Sequence, residues 1–162
     1  MQGLTWVGSI LLALLVAALI AAQVGAFSGA QPEDLGVRDG KLKRPSKTPN
    51  SVSSQAELWA GHPQRHYARI APLALRGDGG ATLDRLEAIV RALPGARVVE
   101  RRPDYLYAQV TTRWMKFVDD LEFWVDPAAG VVQVRSASRV GRKDFGVNRE
   151  RVEAIRAQLA AP

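Results

Sequence analysis

Cysteine is absent from all 162 residues. That excludes disulfide frameworks, thiolate metal sites, iron–sulfur clusters, thiol catalysis and the acylated cysteine of a lipoprotein. Charge is absent from the N-terminal stretch, where the first ionisable side chain is Glu33. Histidine is scarce, with His62 and His66 flanking Pro63 and no obvious third ligand, so no metal is expected. No Gly-x-Ser-x-Gly elbow surrounds any serine, which removes the commonest setting for a serine nucleophile. No cofactor is expected.

What is present begins with the uncharged run from Leu4 to Phe27, LTWVGSILLALLVAALIAAQVGAF, interrupted by polar side chains only at Thr5, Ser9 and Gln23. As a helix rising about 1.5 Å per residue it is long enough to cross a hydrocarbon core of roughly 30 Å. Trp6 and Phe27 stand where aromatic rings favour the interface. Residues 1–27 are therefore read as a retained single-pass anchor, so the membrane is an expected partner. Small residues at Val24-Gly25-Ala26 and Ser28-Gly29-Ala30 keep a cleaved signal as the alternative. Lys41, Lys43, Arg44 and Lys47 follow the run, which the positive-inside rule would keep cytoplasmic, yet Glu33 and Asp34 stand closer. The expectation is a soluble part on the periplasmic or lumenal side, with the cytoplasmic side open.

The remaining chain carries the whole net charge of +6 and a pI near 10.2. Such a surface suits anionic lipid, nucleic acid or an acidic protein, and the apolar run makes nucleic acid the weakest of the three. Residues 28–66 are rich in Gly, Pro, Ser and charge without apolar periodicity, and read as an extended linker. The folded domain, 67–162, is expected to start with a short strand around Tyr67, Ile70 and Leu73. Thr82 then caps a helix presenting Leu83, Leu86, Ile89, Val90 and Leu93 on one face, ended by Pro94-Gly95. Strands follow at 97–100, 105–110, 120–125 and 131–136. Asn148 caps a last helix bearing Val152, Ile155 and Leu159. The order β-α-β-β-β-β-α predicts a two-layer α+β domain, a curved antiparallel sheet of about five strands covered by two helices.

Three stretches carry a family resemblance: Pro49-Asn50-Ser51-Val52-Ser53-Ser54, Asp119-Asp120-Leu121-Glu122-Phe123, and Arg135-Ser136-Ala137-Ser138-Arg139-Val140-Gly141 with Asp144-Phe145-Gly146-Val147-Asn148-Arg149. Together they resemble the domain-of-unknown-function family 1499, over roughly Leu35 to Ile155. The resemblance implies no reaction. It does imply cysteines where this chain has Ser46 and Ser51, a joint loss that fits a structural disulfide in relatives rather than a catalytic thiol. By analogy, relatives work in an oxidising compartment such as a periplasm or thylakoid lumen.

The densest polar cluster is Arg135, Ser136, Ser138, Arg139, Arg142, Lys143 and Arg149, and the candidate anion site at the helix N-terminus takes Arg135, Ser136, Ser138, Arg139, Asp144, Asn148 and Arg149. The competing reading pairs Arg135 and Arg139 with Asp119, Asp120, Glu122 or Asp144 and leaves Arg142 and Lys143 in water. Asp119 and Asp120 are adjacent in a strand, so they point to opposite faces and cannot form an acid–base pair. The motif residues Asn50, Ser51, Ser53 and Ser54 read as turn and capping groups. No catalytic residue is assigned. The leading expectation is a membrane-tethered binding domain, serving as accessory to a membrane-protein partner or holding an anionic or lipidic ligand. The alternative is a hydrolase or transferase on an envelope lipid or glycan, using the arginine cluster with Asp144.

Overall fold

The computed structural model describes residues 2–161; Met1 and Pro162, which open and close the ranges 1–27 and 67–162, lie outside the described residues. Helix α1, Gln2–Gln23, leaves most of its large apolar side chains exposed, Leu11, Leu12 and Leu14 by 61%, 62% and 61%. Among the described residues it is the one helix long and apolar enough to cross a membrane, a property signal sequences share.

The domain that follows is α+β, as the alternation of elements predicts. Its six-stranded antiparallel sheet consists of β1 (Ser51–Ser53), β2 (Leu73–Ala74), β3 (Ala96–Arg101), β4 (Tyr105–Thr111), β5 (Val118–Asp126) and β6 (Val131–Ser138). The main path runs β1-β6-β5-β4-β3, and β2 pairs with the first half of β6. A short helix α2, Arg65–Ala68, precedes α3 (Gly79–Arg91) and α4 (Val147–Ala160). Helices α3 and α4 cover one face. Leu83, Leu86, Val90, Val152 and Ile155 are fully buried there against Leu106, Ala108, Leu121, Phe123 and Val134. Each such large side chain withdrawn from water contributes about 1.5–3 kcal/mol, enough to make this layer the main core.

Several local expectations need correction. The first strand around Tyr67 is a helical turn, α2, and pairing begins only at Leu73. Thr82 is not the cap of α3: Asp78 is, its carboxylate accepting from the Ala81 amide at 2.7 Å. Thr82 lies a turn inside, fully buried, its hydroxyl donating to the Asp78 carbonyl at 2.8 Å and accepting from the Arg76 amide at 2.9 Å. Both residues satisfy the cap pattern, and the intervening Gly79-Gly80, poor helix formers, hid the earlier start.

The stretch read as an extended linker is folded onto the domain. Ser51–Ser53 forms a strand against Arg135–Ala137, with Val52 in the main core. Upstream, a strap over residues 29–44 crosses the sheet face opposite the helices. There Leu42, with Leu35 and Val37, packs on Tyr105, Tyr107 and Trp124. The strap has almost no regular structure, so side chains satisfy its backbone: the Gly36 amide donates to Glu122 Oε1 at 2.8 Å and the Leu42 amide to Gln55 Oε1 at 2.7 Å. Three apolar residues spaced among Gly and charge carry no period, which is why composition reads the strap as solvated.

Candidate functional site

Antiparallel pairing gathers the end of β4, the start of β5, the end of β6 and the start of β1 at one end of the sheet, the end at which α1 joins the domain. Most candidate residues lie near this proximal end. The pleat divides them between the two faces.

On the strap side, Arg135 and Glu122 face each other across β6 and β5 with 3.0 Å between Nη1 and Oε2, both buried. Tyr105 donates its hydroxyl to Glu122 Oε1 at 2.8 Å. One step nearer the proximal end, Arg139 holds Asp120 at 2.7 Å, and the Tyr107 hydroxyl donates to the same carboxylate at 2.6 Å. Hydrogen bonding to Asp120 raises the Arg139 pKa above its ordinary value, outweighing burial, so this guanidinium is permanently charged. Burial, then the bond to Asp120, pushes the Tyr107 pKa up to about 12. Burial, then the charge and hydrogen bond of Glu122, raise the Tyr105 pKa as well.

On the helix side, Asn148 is the hub. It does not cap α4: Gly146, at φ 91°, precedes the helix, and Asn148 is its second residue, wholly buried. Its Oδ1 accepts from Ser136 Oγ at 2.5 Å and from Arg151 Nη1 at 2.8 Å. Its Nδ2 lies 2.9 Å from Asp144 Oδ2, 3.0 Å from Ser138 Oγ and 3.2 Å from the Asn50 carbonyl. Arg151 also holds Asp119 at 2.6 Å, so Asp119 and Asp120 do point to opposite faces. Asp144 accepts from the Tyr67 hydroxyl. Burial favours the neutral form of Asp144, but bonds from Tyr67, Asn148 and the Gly146 amide outweigh it and hold the carboxyl below its usual range. Burial and the carboxylate together push Tyr67 up to about 12.

The expected seven-residue anion cluster is therefore not one site. Arg135 and Arg139 lie on the strap side; Ser136, Ser138, Asp144 and Asn148 lie on the helix side. Arg149 is at neither, donating to the carbonyls of Arg69 and Tyr67 at 2.9 and 2.5 Å. Of the groups the enzymatic alternative invokes, Arg139 is engaged with Asp120, Arg135 with Glu122 and Asp144 with Asn148. Asn50 fastens the proximal end, its amide donating to the Gly141 carbonyl at 2.8 Å. Ser53 Oγ accepts from the Gln55 amide, and Ser54 Oγ bonds Gln133 at 2.7 Å. The Ser46 amide donates to Ser51 Oγ at 2.8 Å, so the two positions where the resemblance implies cysteine are neighbours. His62 Nδ1 accepts from the Gln64 amide within a turn, and His66 lies on α2.

A groove the sequence did not announce opens beside this network. It measures about 690 Å³ and runs between the α3–β3 turn, the end of β4 and the start of α4. Leu93, Pro94, Val110 and Val147 make it predominantly apolar, while Arg113, Lys116 and Arg151 stand along it. Arg151 is committed to Asp119; Arg113 and Lys116 have no carboxylate partner among the described residues. Leu93 and Val147 lie on separate elements, so only the fold could reveal their shared wall.

No curated protein and no solved structure matches the chain. A family model described as a protein of unknown function does match, over residues 41–159, taking in β1, the acidic strand β5, β6 and the Asn148 hub. The chain belongs to the DUF1499 family.

Proposed function

We propose that this chain is a membrane-tethered, non-catalytic binding domain whose ligand is an amphipathic molecule with an anionic head, held in the proximal groove. The observation that carries the reading is the groove itself. An apolar trough of about 690 Å³ suits an acyl or other hydrocarbon chain, and Arg113 and Lys116 suit its charged end. The apolar helix joining the same end of the domain would deliver the groove to a source of such molecules. A soluble part on the periplasmic or lumenal side agrees with the acidic pair nearest the helix and with the cysteines implied for relatives.

The test is native mass spectrometry of the full-length chain gently extracted from its own membranes. The expected spectrum shows an intact chain of 17.6 kDa carrying a lipid-sized adduct. Replacing Val147 by Trp, which fills the groove from a 44% exposed position, should abolish the adduct. A stoichiometric protein partner without adduct would replace this reading with an accessory subunit. A chain cut after Ala26 or Ala30 would make it an exported carrier instead.

A further inference from the structure

Among the described residues, seven large hydrophobic residues beyond α1 and its end at Val24 are exposed, and five of them, Trp114, Phe117, Val140, Phe145 and Val147, belong to the proximal end. Trp114 is 64% exposed and Phe145 is 84% exposed, values expected of polar side chains. They come from two loops, 112–117 between β4 and β5 and 139–146 between β6 and α4. The same loops carry Arg113, Lys116, Arg142 and Lys143, none paired with a carboxylate among the described residues. Their single acid, Asp144, is buried and bonded inward. A cation lies over each exposed ring, Arg113 over Trp114 at 4.9 Å and Lys143 over Phe145 at 5.8 Å.

The backbone presents these groups at a cost. Among the described residues, Lys116 and Phe145 are two of three non-glycine residues with positive φ, at 55° and 54°, a conformation a bulky side chain adopts only when something fixes it. The first loop is also fixed against the end of the apolar helix. Gln23 Nε2 donates to the Trp114 carbonyl at 3.2 Å, Ser28 Oγ to the Lys116 carbonyl at 3.4 Å, and Phe27 meets Phe117 with ring centroids 5.9 Å apart. Gly29 is drawn so close to the second loop that a Cβ there would sit 2.8 Å from Arg139 Cβ and 3.0 Å from Val140 Cγ2.

We propose that the proximal end is a membrane-docking face: both loops lie on the bilayer that α1 spans, Trp114 and Phe145 inserting among the head groups and the four cations binding anionic lipid. A helix crossing the hydrocarbon core ends in the interface, so a loop bonded to its last residue is held at that depth. Aromatic rings favour that zone, and lysine and arginine are attracted to an anionic leaflet. Charge complementarity with anionic lipid and continuity with the helix end select the bilayer over a soluble protein. The inference rests on the retained anchor but not on the groove holding a ligand.

The absence of cysteine allows one spin label to be placed at will. Full-length Leu12→Cys, Trp114→Cys, Phe145→Cys and, at the opposite end of the sheet, Ala129→Cys are labelled and reconstituted into vesicles of phosphatidylcholine with phosphatidylglycerol, or phosphatidylcholine alone. Accessibility to oxygen is compared with accessibility to a water-soluble nickel chelate. The expected order of depth is Leu12 deepest, Trp114 and Phe145 at the interface, Ala129 in water. Converting Arg113, Lys116, Arg142 and Lys143 to Gln should move the Phe145 label toward the aqueous value. Labels at 114 and 145 matching that at 129, while the label at 12 stays deep, would overturn the docking face and leave the anchor standing. A label at 12 in water would overturn the anchor and the face with it. Shielding unchanged in pure phosphatidylcholine and by the fourfold change would overturn the role of anionic lipid and leave the aromatic rings alone to hold the face on the bilayer.

Discussion

All three tyrosines of the chain donate to a carboxylate: Tyr67 to Asp144, Tyr105 to Glu122, Tyr107 to Asp120. Burial and this pairing raise all three pKa values, two of them to about 12. A folded state that keeps its proton above the unfolded value of about 10 gains stability that is complete below pH 10 and lost as pH rises through the folded value. Tyrosinate absorbance should therefore stay flat as the folded protein passes pH 10 and rise, together with loss of helical circular dichroism, as pH approaches 12. A normal tyrosine titration near 10 with the fold intact would contradict these pairings. Single residues were unevenly legible in sequence. The opposed directions of Asp119 and Asp120 followed from the pleat alone, whereas Tyr67 finding Asp144 77 residues away leaves no local signal.

At the scale of elements, α1, α3, α4 and the four long strands were readable because each carries an apolar run or period over several residues, whereas the single turn of α2 was read as a strand. Strand β1 was not readable either: three residues, two of them serine, are held by their partner β6 rather than by their own propensity. The cap of α4 was misread for a similar reason, since Asn148 is a good capping residue that the fold uses in its interior. Gly95 joins two of the readable elements, α3 and β3. Its φ is 74°, and a Cβ would lie 2.1 Å from the Thr111 carbonyl oxygen, a strand atom with little freedom to yield. Gly95→Ala should cost more than about 1 kcal/mol, visible as a lowered midpoint in denaturant at unchanged slope. Gly130, also at positive φ but in open space, is the comparison: its alanine variant carries the backbone penalty without the clash, and should lose less.

At the scale of the molecule, the domain boundary moves. Composition placed it at residue 67, yet the strap before it buries Leu42 on the aromatic face and completes the bonding of Glu122. Removing residues 1–23 should leave a cooperatively unfolding domain. Removing residues 1–44 should strip the cover from Tyr105, Tyr107 and Trp124 and leave buried Glu122 without its amide donor, giving an aggregating or non-cooperative product by denaturant titration. The main-core layer was legible and the cover was not, because a strap secured by side chain to backbone bonds has no period to read.

The junction between helix and strap also sets how far the domain can travel. Gly29 is held against Arg139, and only residues 24–28 separate it from the end of α1. Those five residues span less than about 20 Å even when fully extended, whereas a free linker from 28 to 66 would have stretched to roughly 130 Å. A domain on so short a leash searches no volume. With its helix in a bilayer it would patrol a sheet of space one protein diameter thick, meeting lipids and neighbouring membrane proteins by lateral diffusion and soluble molecules only when they arrive at the surface.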